Sequence, residues 1–201
     1  MNDELPQPEE GNLQRLSPED KKILLAVARQ SLHDYLSQRR LPDPRTDRPA
    51  LLQPRAAFVT LRRHDTGELR GCRGESQARR PLIESVTLMA VASAVDDPRF
   101  PPVTLDELPR IIIEINALTP LKPITPEEIE IGRHGLMIVR EANAGLLLPE
   151  VPARYGWDVE TFLRALCRKA WLPDDAWRDP NARLFAFESE VWEENDIIST
   201  P

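Results

Sequence analysis

The segment 111–118, with the sequence IIIEINAL, constrains the fold of this chain more than any other stretch. Its isoleucines fall on both sides of an extended chain, and apolar β-branched residues on both sides are typical of a strand inside a sheet. We therefore expect a central strand here, with the other strands arranged around it.

Two other segments show the alternation and turn residues of β-hairpins. The first covers residues 56–72 with its turn at 64–67, and the second covers residues 135–149 around a turn at 141–144. Residues 182–192 also alternate, which predicts one closing strand near the end of the chain.

Three segments predict helices. The first begins at Ser17, where a serine cap, a proline at the first helical position and two acidic residues favour a helix start. The second runs from about residue 81 to 95, and the third begins with Asp158 as its cap. Hairpins interspersed with helices favour an α+β fold, with a mixed or antiparallel sheet and flanking helices. We expect one domain over residues 16–201 after a polar, disordered tail at 1–15.

The composition narrows the classes of partner and site. A formal net charge of −7 argues against binding to nucleic acid, whose phosphates need a basic surface. No apolar run approaches the ~20 residues of a membrane helix, and the first residues do not resemble a signal peptide. With two cysteines, no CxxC spacing and scattered histidines, the sequence predicts no metal site and no cofactor. We expect a cytoplasmic protein that binds no membrane.

The hexapeptide LRGCRG at residues 69–74 is the strongest candidate for chemistry. On a strand, Arg70 and Cys72 point to the same face, and Gly71 and Gly74 leave space beside them. A neighbouring arginine stabilises a thiolate, which is the reactive form of cysteine. The alternative is that Cys72 is a small apolar residue packed at a tight sheet-to-loop transition.

Glu114 lies within the central strand, with Asn116 on the same side of the pleat. A carboxylate in such a place is a candidate general acid or base, or else it forms an ion pair with an arginine. His134 is a second candidate for acid–base chemistry, although a lone histidine before a strand also serves as an ordinary turn residue.

The loop DPRFPP, which starts at Asp97, is held rigid by its prolines. It could present Arg99 and Phe100 to a ligand, or Asp97 and Arg99 could contact each other and fix the loop. Arg73 lies close in sequence to the hexapeptide cysteine, where it could bind an anion or remain solvated.

Five motifs in order resemble the AMMECR domain family. They are LRGCRG at 69–74, DPRFPPVTLDELPRIIIEINALTP at 97–120, GRHGLMIVR at 132–140, LLLPEVPARYGWD at 146–158 and KAWLPDDAW at 169–177. The resemblance implies an α+β fold with a larger and a smaller lobe and a cleft lined by the hexapeptide strand. It also implies two partners, a Memo-type protein and a radical S-adenosylmethionine enzyme. This chain departs from the family at Arg73, where an aliphatic residue is usual.

Three functions remain open from the sequence. The first is an accessory or substrate-presenting protein that acts with the Memo-type and radical S-adenosylmethionine partners. The second is a cysteine-dependent enzyme, with Cys72 as nucleophile, Arg70 or Arg73 stabilising the thiolate, and Glu114 or His134 completing the site. The third is a module that binds a small anion. The free edge of either hairpin could also support a homodimer.

Overall fold

The computed structural model describes residues 14–195 of the chain. These residues form a large unit, 14–118 with 190–195, and a small unit, 119–189. The tail predicted at 1–15 lies outside the described residues, apart from its last two. In the described range, no helix has both the length and the apolar character needed to cross a membrane.

The described residues alternate between helices and strands along the chain. The α-helices are α1 (Pro18–Gln38), α2 (Pro49–Leu52), α3 (Leu82–Val95), α4 (Glu150–Tyr155) and α5 (Val159–Lys169). The strands are β1 (Ala57–Arg63), β2 (Leu69–Gly74), β3 (Ile111–Leu118), β4 (Lys122–Pro123), β5 (Gly135–Arg140), β6 (Asn143–Leu147), β7 (Arg183–Phe187) and β8 (Ser189–Glu193). The predicted α+β fold is confirmed, and both predicted hairpins form antiparallel pairs.

The sheet of the large unit has the strand order β2-β1-β3-β8, so β3 is an interior strand as predicted. One face of this sheet packs against α1 and α3 and buries Val59, Leu61, Ile113 and Ile115 completely. Alternation turns the even-numbered residues of β3 to the other face. The strand therefore has one apolar face and one face that carries polar side chains.

The prediction of a single closing strand over residues 182–192 is wrong. The chain forms β7, which lies between β4 and β5 in the second sheet, and then β8, which joins the large sheet beside β3. Glu188 separates the two strands. Alternation continues through both segments, and it carries no information about which sheet a strand joins.

The small unit is built on a sheet of order β4-β7-β5-β6 that packs against α5. Asp158 caps this helix as predicted, because its carboxylate accepts the N–H of Thr161 at 2.8 Å. The buried face of α5 carries Phe162, Leu163, Leu166 and Cys167. The apolar spacing of that face is what anchors the helix to the sheet.

Arg55 is a fully buried cation in the large unit. Its guanidinium donates to the carbonyl oxygens of Ala117 and Leu118 at 3.2 and 3.1 Å, and it pairs with Glu190 at 3.2 Å. Burial lowers the pKa of Arg55, and the Glu190 carboxylate opposes this shift. The arginine thus ties the end of β3 to β8 through charge-assisted hydrogen bonds.

Gly71 sets how closely β2 can approach α3. A Cβ atom built at this position would lie 2.0 Å from the carbonyl oxygen of Ser93. That oxygen belongs to the helix backbone, so it cannot rotate away as a flexible side chain would. Any residue larger than glycine has to push the strand from the helix.

We predict that Gly71→Ala destabilises the chain by about 1–3 kcal/mol, because overpacking forces a backbone shift. Urea unfolding followed by circular dichroism measures this change. The control is Arg73→Ala on the same strand, where the side chain is exposed and the expected change is within about 0.5 kcal/mol. Equal stability of Gly71→Ala and wild type would contradict the close packing.

Candidate functional site

The polar face of the large sheet brings together residues from three strands. Thr60 of β1 lies opposite Cys72 of β2 and opposite Glu114 of β3, so the three side chains form a row across the sheet. In the next row, Phe58 lies opposite Asn116. These five residues are called the Cys72 face below.

Cys72 is half-buried, and its sulfur accepts a hydrogen bond from the Thr60 hydroxyl at 3.4 Å. Within residues 14–195, Thr60 is the one side chain that forms a hydrogen bond with this sulfur. Cys72 is therefore neither sealed in apolar packing nor directly bonded to an acid or a base.

The two glycines of the hexapeptide accommodate protein atoms. The space beside Gly71 is occupied by α3, and a Cβ at Gly74 would lie 2.1 Å from the Phe58 ring. The ring of Phe58 therefore lies across β2 at Gly74. The small residues that sequence analysis singled out allow a helix and an aromatic ring to pack on either side of the strand.

Arg70 makes its hydrogen bonds with the loop that follows α3. Arg70 is 5% exposed, and its guanidinium donates to the carboxylate of Glu107 at 2.8 and 3.1 Å. It also donates to the carbonyl oxygens of Pro101 and Pro102 at 2.9 and 3.4 Å. The bond from Arg70 is the main reason that the pKa of Glu107 lies below its usual value.

The side chain of Asp97, in the same loop, contacts the free edge of β2. Its carboxylate accepts the backbone N–H of Cys72 at 2.8 Å and the guanidinium of Arg99 at 2.7 and 2.9 Å. The Arg99 hydrogen bonds are the largest reason that the pKa of Asp97 lies well below its usual range. The contact between Asp97 and Arg99, one of the two alternatives from the sequence, is present.

Arg99 contacts Phe100 as well as Asp97. Its pKa is raised, mainly by the hydrogen bond to Asp97. The guanidinium also lies over the Phe100 ring, 5.5 Å from its centroid. Phe100 lines a cavity of about 530 Å³ together with Arg70 and Glu107.

The structure places the remaining candidates in different surroundings. Glu114 lies 3.6 Å from Arg62, which is an ion pair without a short hydrogen bond, and its side chain is 25% exposed. Arg73 is exposed. His134 belongs to the small unit, where its Nδ1 accepts the N–H of Glu130 at 3.1 Å, as a turn residue does.

Asn116 is the member of the Cys72 face to which the sequence gave no role of its own. It is buried, and its Oδ1 has no hydrogen-bond partner in the described residues. The sequence does contain a signal for this residue, because Asn116 is a second polar residue on the same side as Glu114 in an otherwise apolar strand. In the same range, no three His, Cys, Asp or Glu side chains are grouped as a metal ion would require.

We predict that Asp97→Asn lowers the stability at pH 7 by about 1.5–3 kcal/mol, because bonds to a charged carboxylate are lost. The folded-state pKa of Asp97 is depressed, so its contribution is present above the unfolded value of about 3.9 and is lost as the pH falls below it. The difference between variant and wild type should therefore shrink below about pH 4.

Urea unfolding between pH 7 and pH 2.5 measures this pH dependence. Asp43→Asn is the matched control, because Asp43 is 82% exposed in its ion pair with Arg45 and should contribute almost nothing. A difference between Asp97→Asn and wild type that stays constant over the whole range would contradict the prediction.

Comparison with known proteins gives the chain a family. The sequence profile of the AMMECR1 family matches residues 25–192. The chain is 40% identical over 190 residues to protein TK0174 of Thermococcus kodakarensis, covering 90% of this chain and 93% of that protein. It is also 40% identical over 190 residues to protein PYRAB00100 of Pyrococcus abyssi, with the same coverage.

A solved structure agrees with these sequence matches. The crystal structure of the uncharacterized protein PH0010 from Pyrococcus horikoshii superposes with a TM-score of 0.76 at 40% identity. The match covers 86% of this chain and 90% of that one. The family profile and these relatives span most of the chain, and the chain therefore belongs to the AMMECR1 family.

Proposed function

We propose that this chain is an accessory protein that presents Cys72 and the strand around it to partner proteins. The observation that carries this proposal is the setting of Cys72 on the free edge of β2. The thiol is half-buried there, and hydrogen bonds fix its backbone, yet no acid or base in residues 14–195 is bonded to its sulfur. Such a thiol is held in position for another molecule's chemistry.

The surroundings of β2 suit contact with a protein. The strand lies at the end of the sheet order, and edge strands offer unpaired backbone groups to a partner. Arg73 of this strand is an exposed cation. The cavity beside Arg70 and Phe100 adds a concave surface next to the strand. Together these features supply a polar rim and a recess within one unit.

The choice of partners rests on the family resemblance. A Memo-type protein and a radical S-adenosylmethionine enzyme are the partners that it implies. The names of the relatives reported above record no activity, so they neither add a reaction nor remove one. An accessory role also fits a chain in which the charged groups near Cys72 are engaged with each other.

We predict that the Memo-type and radical S-adenosylmethionine proteins of the same organism co-purify with the wild-type chain when they are co-expressed. Arg73→Glu should weaken this association at least about tenfold, because it reverses a charge at the rim of the contact. Calorimetry or a pull-down with quantified bands measures the loss.

The matched control is Arg154→Glu, which makes the same change of charge at an exposed position of the small unit. It should leave the association within about twofold of wild type. Equal binding by both variants would remove β2 from the contact surface. Failure of either partner to co-purify with the wild-type chain, under both oxidising and reducing conditions, would refute the accessory role.

A second function, a cysteine-dependent enzyme, is favoured by the row of Cys72, Thr60 and Glu114. Thr60 donates to the thiol and lies opposite Glu114 on the next strand, and Arg99 is bonded to the Asp97 carboxylate that accepts the N–H of Cys72. A ligand or a side-chain rotation that joined Glu114 to this row would complete a nucleophile and a base. The small-anion alternative has less support, because Arg70 and Arg99 already have carboxylate partners.

We predict that iodoacetamide alkylates Cys72 in the native chain, and that Cys167 reacts only after unfolding. Cys167 is completely buried, and burial raises the pKa of its thiol. Thr60→Val should slow the reaction of Cys72 about twofold to tenfold, because one hydrogen bond to the sulfur is lost. Mass spectrometry of tryptic peptides gives both rates.

Thr66→Val serves as the control, since Thr66 lies in the exposed turn between β1 and β2. An unchanged rate in Thr60→Val would show that the hydroxyl does not activate the thiol, and the enzyme alternative would lose its main support. Protection of Cys72 in the native chain would count against both proposed functions.

A further inference from the structure

Asn116 is buried in a way that its own protein does not explain. Asn116 is 6% exposed, and its Oδ1 is buried without a hydrogen-bond partner in residues 14–195. Buried acceptors without a partner are rare, because the lost hydration is not replaced. A molecule bound from outside the described chain could supply the missing donor.

Strand geometry directs this amide to the Cys72 face. Asn116 follows Glu114 by two residues on β3, so both side chains leave the same side of the sheet. It belongs to the neighbouring row on this face, two residues along the strands from the row that contains Thr60 and Cys72. Two strand spacings across the sheet and two residues along the strands separate Asn116 from Cys72, which places their backbones about 12 Å apart. A small molecule of that length can reach both.

The charges around the face limit what this molecule can be. Glu114 is paired with Arg62, and Asp97 is paired with Arg99. Among the buried side-chain atoms of the face, the one without a hydrogen-bond partner in residues 14–195 is a neutral acceptor, the Oδ1 of Asn116. A charged ligand would have to separate one of these ion pairs. A neutral N–H donor can form a hydrogen bond with the Oδ1 of Asn116 and leave both ion pairs in place.

We propose that the Cys72 face binds a small neutral molecule whose carboxamide-type N–H donates to Oδ1 of Asn116, with its other end at the Cys72 thiol. The shared chemistry is an uncharged amide N–H, which either a primary carboxamide or a ring lactam supplies. This inference deepens the proposed function and rests on it, because the ligand would occupy the surface that presents the thiol.

Thiol–disulfide exchange at Cys72 tests the inference with defined probes. Each probe is a symmetrical disulfide of an alkyl thiol that ends in one group: a primary carboxamide, a lactam, an N,N-dimethylamide, a carboxylate or an ammonium ion. The wild-type chain is equilibrated with each probe and excess 2-mercaptoethanol, and intact mass gives the labelled fraction. Cys72→Ser reports any labelling of the buried Cys167.

The primary carboxamide or the lactam should label Cys72 about fivefold better than the dimethylamide, which has the same carbonyl but no N–H. The advantage should be greatest for the chain length that spans about 12 Å. Asn116→Leu should abolish it, whereas Asn143→Leu, an exposed position of the small unit, should retain it. Whether the carboxamide or the lactam labels better identifies the source of the amide.

Three results would overturn the inference: equal labelling by carboxamide and dimethylamide, an advantage that survives Asn116→Leu, or stronger labelling by the ammonium probe. The comparison of probes uses wild type alone, so it holds even where the variant does not fold. Loss of the preference with intact partner binding would refute this inference only. Loss of partner binding with an intact preference would refute the accessory function only.

Stability gives an independent measurement. Asn116→Leu replaces an unpaired acceptor with an apolar group of similar shape, so its midpoint of urea unfolding should rise in the absence of ligand. A lower midpoint would show that the amide already has a partner in the free chain, and it would overturn the inference.

Discussion

The reciprocal hydrogen bonding between β2 and the loop after α3 determines where the thiol lies. Arg70 extends from the strand and donates to the carbonyl oxygens of Pro101 and Pro102 and to Glu107. Asp97 extends from the loop and accepts the N–H of Cys72. The prolines offer acceptors without donors, and the strand edge has an N–H without a neighbouring strand. The loop therefore supplies acceptors for the donors of Arg70, and its Asp97 accepts the N–H that the edge of β2 leaves without a neighbouring strand.

This exchange explains why a buried arginine is tolerated beside the site. Removing a guanidinium from water is costly unless its donors are satisfied by charged or carbonyl acceptors. Arg70 has a bidentate carboxylate and two carbonyls, so its positive charge is used in holding the loop. Because Gly71 packs against α3, alternation turns Cys72 to the opposite face. The helix contact and the loop contact thus fix the thiol from two directions.

Sequence reasoning reached the parts of this arrangement that depend on local periodicity. It placed β3 inside the sheet and offered the Asp97–Arg99 contact as an alternative. The shared face of Arg70 and Cys72 stays a prediction, because the pairing of β2 with β1 shifts register at Arg70 and interrupts the alternation there. It could not find Glu107 as the partner of Arg70, or Glu190 as the partner of Arg55. Such pairs are 37 and 135 residues apart, and no single-sequence pattern links them.

The elements that the sequence missed have physical reasons of their own. The helix α4 spans six residues and contains Pro152, so it lacks the length that apolar periodicity needs. The strands β7 and β8 continue one alternation although they join different sheets. Local patterns report which side of a strand is buried, but long-range pairing decides the sheet to which the strand belongs.

Asn116 is the point at which stability and function diverge in this fold. Every other buried polar group of the site has a partner: Arg70 has Glu107, Asp97 has Arg99, and Thr60 has the sulfur of Cys72. A leucine at position 116 would suit its burial better, and β3 already carries apolar residues on either side of it. Residues whose polarity conflicts with the packing around them are expected at sites where a chain binds a ligand or a partner. The unpaired amide therefore marks the Cys72 face as a surface shaped for a ligand, rather than for the stability of the sheet alone.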